Sequence, residues 1–233
     1  MSRLLEFKSR IIVSTTKKKQ DYPTYKITHN ETEVNVEFNY LPDTTKKLDA
    51  LQNHDLSMEN IFQITAWKID RYPEMSDETL KELNELKSLA KINHGKTKNV
   101  LMKLLSTHGI GLPVASAYLR FINPKVYQII DVRAFRAAYD YRLQEKGYVN
   151  VKHETQIEVY LKYLKKLRSI DENSETGYHG YRVAFENLDR FLYDFDKFIG
   201  YKLSDNPQLE TTEIEKKLKE FIAKQKDQNK GGK

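Results

Sequence analysis

The stretch that decides the fold is Leu104-Leu105-Ser106-Thr107-His108-Gly109-Ile110-Gly111-Leu112-Pro113-Val114-Ala115. Apolar residues at helical spacing precede and follow it, whereas the two glycines of His108-Gly109-Ile110-Gly111 interrupt that pattern. Because glycine lacks a Cβ, it can adopt a positive φ and lets another backbone approach closely. The stretch therefore predicts two helices joined by a tight hairpin, over residues 96–122.

A single aspartate follows this hairpin. An apolar extended run over 126–130 leads to Asp131, which precedes a helix predicted over 131–145. Aspartate is a favoured N-cap residue, because its carboxylate accepts hydrogen bonds from the free N–H groups of the first turn. A capping carboxylate is held ionised and points out of the helix end. We therefore expect Asp131 to cap the helix and to be able to stabilise a developing positive charge.

The charge distribution around the hairpin is strongly uneven. Between residues 91 and 136 there are eight cations and one acid, a net charge of +7, against +6 for the whole chain (39 Lys and Arg, 33 Asp and Glu). A basic block of this kind favours a polyanionic partner such as nucleic acid. Its cations are Lys91, Lys96, Lys98, Lys103, Arg120, Lys125, Arg133 and Arg136, and its acid is Asp131.

The composition predicts a mainly helical protein. Glycine (9) and proline (6) are scarce in the 233 residues, which favours few turns and many helices. The absence of cysteine excludes disulfides, thiol nucleophiles and cysteine-ligated zinc or iron–sulfur sites. With no signal-like N-terminus and no apolar run of membrane length, we expect a cytoplasmic monomer that does not contact membranes.

Three regions are predicted along the chain. Alternating apolar residues place a small N-terminal antiparallel sheet within residues 1–50, including a run at 10–15 and longer alternation over 25–40. Helical periodicity dominates 51–205. A last helix and a basic tail fill 206–233, and we expect the tail to be disordered from Asp227 onward.

Several of these features together resemble the helix–hairpin–helix superfamily of DNA glycosylases. The matching residues are Leu104-Leu105, His108-Gly109-Ile110-Gly111, Val114-Ala115, Pro124 and Ile130-Asp131-Val132-Arg133. The resemblance implies a mainly α-helical (α+β) fold, often with an N-terminal antiparallel sheet, that rotates a modified base out of double-stranded DNA and excises it. It makes Asp131 the catalytic carboxylate. The residues then expected to hold the DNA backbone are His108, Gly109, Gly111, Lys96, Lys98, Arg133 and Arg136.

One departure from the family pattern concerns strand cleavage. Bifunctional members carry a lysine two residues after the second hairpin glycine, and this chain has Pro113 there. Proline has no amine to attack the sugar, so the resemblance implies a monofunctional enzyme that leaves an abasic site. Lys103 on the first hairpin helix is an alternative source of the amine.

Two aromatic and basic groups are candidates for the base pocket or for a wedge in the duplex. Aromatic rings stack on bases and cations contact phosphates, although packed side chains give the same pattern. The six histidines lack metal-ligand spacing, so we expect neither a metal nor another cofactor. The candidates are Trp67, Lys68, Arg71 and Tyr72 in one group, and Tyr178, His179 and Tyr181 in the other.

The target base stays open at the level of the sequence. The length, the small β region and Pro113 make the chain similar to bacterial defence enzymes that excise glucosylated hydroxymethylcytosine from phage DNA. The alternatives are a repair glycosylase for oxidised bases such as 8-oxoguanine or for alkylated bases, a non-catalytic hairpin module that binds DNA, and a helical interaction protein.

Overall fold

The computed structural model describes residues 23–29, 32–38, 40–52, 54–68, 75–142, 151–171, 173–205 and 207–230. The strand predicted at 10–15 lies outside these residues, as do the candidate pocket residues Arg71 and Tyr72. The described part is mainly helical and carries a small antiparallel sheet, as the sequence predicts. In chain order the elements are β1 Thr24–His29, β2 Thr32–Glu37, α1 Pro42–Asp49, α2 Met58–Lys68, α3 Asp77–Asn84, α4 His94–Ser106, α5 Leu112–Ile122, α6 Val132–Ala138, α7 His153–Arg168, β3 Arg182–Val183, α8 Leu188–Ile199 and α9 Thr211–Lys230.

The sheet has the order β2-β1-β3, and both pairings are antiparallel. Opposite residues pair in register, with Tyr25 facing Val36 and Ile27 facing Val34. All four are buried, and the residues between them are exposed. This alternation is the pattern from which the sequence predicts these two strands. The prediction that the sheet lies within residues 1–50 is incomplete, because β3 (Arg182–Val183) comes from much later in the chain and is too short to show alternation.

The region 1–50 also contains a helix that the sequence analysis assigned to the β part. The helix α1 begins at Pro42, where a missing N–H group costs nothing. Thr45 and Leu48 are fully buried on one of its faces. The apolar face of so short a helix has too few positions to give a clear helical period.

The hairpin unit is longer at its start than predicted, and the helix after Asp131 is shorter. The helix α4 begins at His94, because Asn93 Oδ1 accepts a hydrogen bond from the Lys96 N–H at 3.0 Å. The helix predicted over 131–145 ends at Ala138. Asp140 and Tyr141 then adopt φ values of 55° and 58°, a left-handed conformation that ends a helix.

The C-terminal helix α9 contacts both β2 and α8. It continues to Lys230, so the prediction of a disordered tail from Asp227 onward is wrong for residues 227–230. Its start is anchored by Ile214 and Leu218, which are fully buried. None of the described helices is long and apolar enough to cross a membrane.

The central helix of the fold is α5, whose residues 114–122 are all buried. It packs against α2 and α4, and α6 packs against α7 and α8. The N-terminus of α6, where Asp131 lies, is thereby brought close to the end of α2 and to the middle of α8.

Candidate functional site

Asp131 is the N-cap of α6, as the sequence predicts. Its Oδ1 atom accepts a hydrogen bond from the Ala134 N–H at 2.8 Å, and its backbone is extended with φ at −139°. The side chain keeps about a fifth of its surface exposed (19%). One oxygen is therefore fixed by the helix, while the other, Oδ2, is available to a neighbouring group.

Asp131 lines a cavity of about 200 Å³, which we call the Asp131 cavity. A water molecule takes roughly 30 Å³ in the liquid, so the cavity has room for a ring-sized group rather than for one or two waters. Its walls come from four separate segments of the chain. The lining residues are Phe38, Tyr40, Trp67, Lys68, Ile129, Asp131, Ala134, Asp189, Arg190 and Tyr193.

Lys68, the last residue of α2, places an ammonium group beside the carboxylate. Its Nζ atom is 3.7 Å from Asp131 Oδ2, and both side chains are mostly buried. Lys103, the alternative amine, instead donates hydrogen bonds to Glu78 and Glu82 at 2.8 and 2.7 Å. These hydrogen bonds raise the pKa of Lys103. Among the described residues, Lys68 is the lysine that lines the Asp131 cavity.

The aromatic wall of the Asp131 cavity is rigid. Trp67 is buried, and its indole N–H donates a hydrogen bond to Thr45 Oγ1 at 2.9 Å. Its ring meets those of Tyr40 and Phe121 edge-on, with centroids 5.2 Å apart in both cases. The Tyr40 hydroxyl donates to the Trp67 carbonyl oxygen at 2.8 Å. These contacts make Trp67 a fixed wall of the cavity and leave it unsuited to wedging into a duplex.

Tyr193 of α8 completes the wall, and the sequence analysis missed it. Burial, together with the negative charge of Asp131, raises the pKa of the Tyr193 hydroxyl. The hydroxyl therefore stays protonated at neutral pH and remains able to donate a hydrogen bond. The sequence could have indicated it, because Tyr193 is an aromatic residue outside the apolar face of α8. That face contains Phe191, Leu192 and Phe195.

Buried charges support the floor of the cavity. Arg120 and Arg190 both donate to Asp49 Oδ1, each at 2.6 Å. Burial would raise the pKa of Asp49, but the two guanidinium groups outweigh that effect and hold it below its usual value. Asp189, also buried, accepts a hydrogen bond from the Ile129 N–H at 3.0 Å. This bond fixes the segment that leads to Asp131.

Two tyrosines of α7 hold the same segment from the other side. Tyr160 and Tyr163 are fully buried, and their hydroxyls donate to the carbonyl oxygens of Gln128 and Ile129 at 2.9 and 3.0 Å. Ser116 of α5 accepts the Ile130 N–H at 3.1 Å. Residues 128–130, the end of the extended run before Asp131, are therefore held by side chains of α5, α7 and α8.

The two glycines of the hairpin between α4 and α5 have different backbone conformations. Gly109 has a φ of 84°, which favours glycine, whereas Gly111 has an ordinary φ of −95° as the N-cap of α5. A Cβ atom added at Gly111 would meet Pro113 Cδ at a comfortable 3.8 Å. The backbone conformation therefore favours glycine at position 109, whereas there is no steric need for it at 111.

The hairpin also presents backbone donors. Within the part of the chain that the structure describes, no partner is found for the N–H groups of Gly109, Gly111 and Leu112. They lie at the N-terminal end of α5, where the helix dipole favours an anion. His108 is exposed next to them. The arrangement suits a phosphate group.

Arg133 and Arg136 of α6 point to the protein interior, where both bind Asp196 of α8. Arg136 donates through Nε to Asp196 Oδ1 at 2.5 Å and through Nη2 to Oδ2 at 2.8 Å, and Arg133 donates to Oδ2 at 2.8 Å. Arg136 also donates to three backbone carbonyls beyond α8. A phosphate contact by Arg136 would need donors that these internal bonds already use. We therefore assign Arg136 a structural role.

Lys96 and Lys98 lie on the first turns of α4, at the opposite end of that helix from the hairpin. Lys96 is exposed and pairs with Glu85 at 3.4 Å, and Lys98 lines a different cavity. The structure does not bring these two lysines to the hairpin. Since Lys103, Arg120, Arg133 and Arg136 pair internally as well, the basic block is not a continuous positive surface.

The second aromatic group, Tyr178, His179 and Tyr181, makes contacts within the protein. The Tyr178 hydroxyl donates to the Ala137 carbonyl oxygen at 2.8 Å. His179 Nε2 lies 2.8 Å from Asp140 Oδ1, and Tyr181 stacks on His29 with centroids 4.2 Å apart. None of the three lines the Asp131 cavity.

The described residues contain no group of three His, Asp or Glu side chains placed to hold a metal ion. Comparisons with known proteins give no match: no family model, no curated protein and no solved structure is significantly similar to the chain.

Proposed function

We propose that the protein is a monofunctional DNA glycosylase that flips a modified base out of the duplex, excises it and leaves an abasic site. The single observation that carries the proposal is the position of Asp131. Its Oδ1 atom is fixed by the N-terminus of α6, and its side chain lines a cavity with aromatic walls. The resemblance of the hairpin motif to the helix–hairpin–helix glycosylases places the catalytic carboxylate at the same residue.

The chemistry of base excision suits this geometry. Breaking an N-glycosidic bond builds positive charge on the sugar, and a fixed carboxylate stabilises that charge without having to reorganise. Tyr40 and Trp67 supply aromatic walls for a flipped base, and Tyr193 and Lys68 offer hydrogen-bond donors to its polar edge. The N–H groups of the hairpin suit the DNA backbone, which is held without regard to sequence.

The experiment that tests the proposal is incubation of the purified protein with DNAs of different base chemistry. Phage DNA with glucosylated hydroxymethylcytosine is compared with the same DNA lacking the sugar and with duplexes containing 8-oxoguanine or an alkylated base. Abasic sites and released base are measured. Release from one class identifies the target. DNA binding with no release from any class would favour a non-catalytic module and would contradict the proposal.

We expect the protein to make abasic sites without forming a covalent adduct with DNA. A lysine nucleophile forms a Schiff base that borohydride traps, whereas water attack leaves nothing to trap. Because Pro113 replaces the amine of bifunctional members, enzyme, substrate and borohydride together should give no protein–DNA band. Strand breaks should appear only after alkali treatment or with an added abasic endonuclease.

Two variants identify the amine if a covalent band does form. Lys68→Ala removes the amine beside Asp131, and Lys103→Ala removes the one bound to Glu78 and Glu82. A band lost only in Lys68→Ala would show a lyase that uses Lys68, and a band lost only in Lys103→Ala would show one that uses Lys103. Either result would overturn the monofunctional part of the proposal and leave the glycosylase part intact.

We expect Gly111→Val to weaken the binding of all duplexes by roughly tenfold, because the valine side chain would keep a phosphate away from the N–H groups of the hairpin. One N–H to phosphate bond contributes about 1.5 kcal/mol or more. The fold tolerates a Cβ at Gly111, so the thermal midpoint should stay close to that of the wild type. Fluorescence anisotropy at fixed salt, with modified and unmodified duplexes, measures the effect.

The matched control for this prediction is Gly95→Val. Gly95 is exposed in the first turn of α4, far from the hairpin, and an added Cβ there meets nothing closer than 3.6 Å. Binding should be unchanged in this variant. If Gly111→Val affected only the duplex with the modified base, the hairpin would belong to the base pocket rather than to the backbone site.

A further inference from the structure

The cations of the basic block that have no acid partner among the described residues line a second cavity. Five of the eight pair with acids elsewhere in the fold. Among the described residues Lys91, Lys98 and Lys125 have no ion pair, and all three line this cavity, which we call the basic cavity. It has a volume of about 830 Å³, and none of its described lining residues also lines the Asp131 cavity.

The helix α7 supplies the other half of the positive charge. Lys162, Lys165 and Arg168 repeat at helical spacing, so that one face of α7 carries them into the basic cavity. Glu158 is the one acid among the lining residues that the structure describes. Residues three apart on a helix have Cβ atoms about 5–6 Å apart, which is within the Debye length of about 8 Å, so these three cations repel one another. An anionic ligand would relieve this repulsion.

The floor of the basic cavity is apolar. Arg168 lies over the ring of Phe185, with its guanidinium carbon 3.2 Å from the ring centroid, and it also pairs with Asp171 at 3.5 Å. The guanidinium group is thereby held in place before any ligand binds. The apolar lining residues are Ala90, Ile92, Val126, Leu161, Leu164 and Phe185.

We propose that the basic cavity is a binding site for a nucleotide-class ligand, a molecule with a flat apolar body and several phosphates. The volume falls within the range of roughly 300–1,000 Å³ typical of small-molecule sites. The lysines around the rim suit phosphates, and the apolar floor suits a base. A surface that only follows a DNA backbone needs the lysines but has no use for the floor.

The location of the basic cavity separates it from the hairpin. His94 and Lys98 of α4 line it, whereas Ser106 at the other end of α4 borders the hairpin. Twelve residues of helix at 1.5 Å each put these two ends about 18 Å apart. The site is therefore distinct from the hairpin donors that the proposed glycosylase uses.

The test uses ATP as the probe, with inorganic tripolyphosphate, adenosine and an unmodified duplex as comparison ligands, measured by isothermal titration calorimetry. The variants are the double change Lys98→Ala with Lys165→Ala, and Lys96→Ala as the matched control on the same helix but outside the cavity. We expect ATP to bind the wild type more tightly than tripolyphosphate. The double variant should lose at least tenfold in ATP affinity, and Lys96→Ala should change it little.

The other outcomes overturn the proposal. Equal affinities for ATP and tripolyphosphate would show that the apolar floor contributes nothing and that the site takes inorganic polyanions. Loss of duplex binding in the double variant, with no ATP binding to the wild type, would assign the cavity to nucleic acid. An equal loss in Lys96→Ala would show a general effect of charge. Base excision is not part of any readout, so failure here leaves the proposed function untouched.

Discussion

Asp131→Asn should lower base excision by roughly 10²–10³-fold, because it removes one preorganised charge from the site where positive charge develops. DNA binding and thermal stability should change little. Asparagine caps a helix about as well as aspartate, so the hydrogen bond from the Ala134 N–H can be kept. Single-turnover excision and anisotropy on the same protein preparation measure the two effects separately.

The control for this variant is Asp77→Asn, which makes the same chemical change in the exposed first turn of α3. Excision by that variant should match the wild type. If Asp131→Asn retained near-wild-type excision, Asp131 would have no part in the reaction. If it lost excision together with its thermal stability, the carboxylate would be acting through the fold.

Asp196→Ala should lower the free energy of unfolding by about 3–5 kcal/mol, the cost of leaving a buried charge without its partner. The Asp196 side chain is fully buried between Arg133 and Arg136, and Arg136 is itself nearly buried. Urea denaturation followed by circular dichroism measures the loss. A decrease below about 1 kcal/mol, the range of exposed ion pairs, would show that the guanidinium groups find other partners.

A double variant separates the lost charge pair from lost packing. Replacing Arg136 and Asp196 by apolar residues, Arg136→Met with Asp196→Leu, removes the more buried guanidinium group together with its partner and leaves the partly exposed Arg133 unpaired. This double variant should be less destabilising than Asp196→Ala, which strands both arginines. If the double variant were the more unstable of the two, the contribution of this cluster would come from its hydrogen bonds to the backbone carbonyls beyond α8.

The features that the sequence predicts are those encoded by local spacing. The hairpin is visible because two glycines interrupt a helical pattern, and Asp131 is recognisable as a cap because an extended apolar run precedes it. Both depend on the residues next to them in the chain. The same holds for β1 and β2, whose alternation is long enough to see.

The features that could not be predicted depend on distant segments. The Asp131 cavity is built from residues near 40, 67, 130 and 190, and one sequence carries no sign that Tyr40 and Tyr193 face the same carboxylate. The partners of the basic block are equally remote, so the sequence predicts a DNA contact for Arg136 and gives no sign that Asp196 binds it. The strand β3 has two residues, too few for any periodicity.

The helix that carries Asp131 has seven residues, and isolated helices shorter than about 12–15 residues are marginal in water. Its position is therefore set by Asp196 and by the packing of α6 on α8 rather than by its own propensity. In a genetic screen for loss of function, substitutions at Asp196 and at Asp131 should be recovered with the same phenotype. Suppressors would tell them apart, because a stabilising second-site change can restore the position of α6 but cannot replace a missing carboxylate.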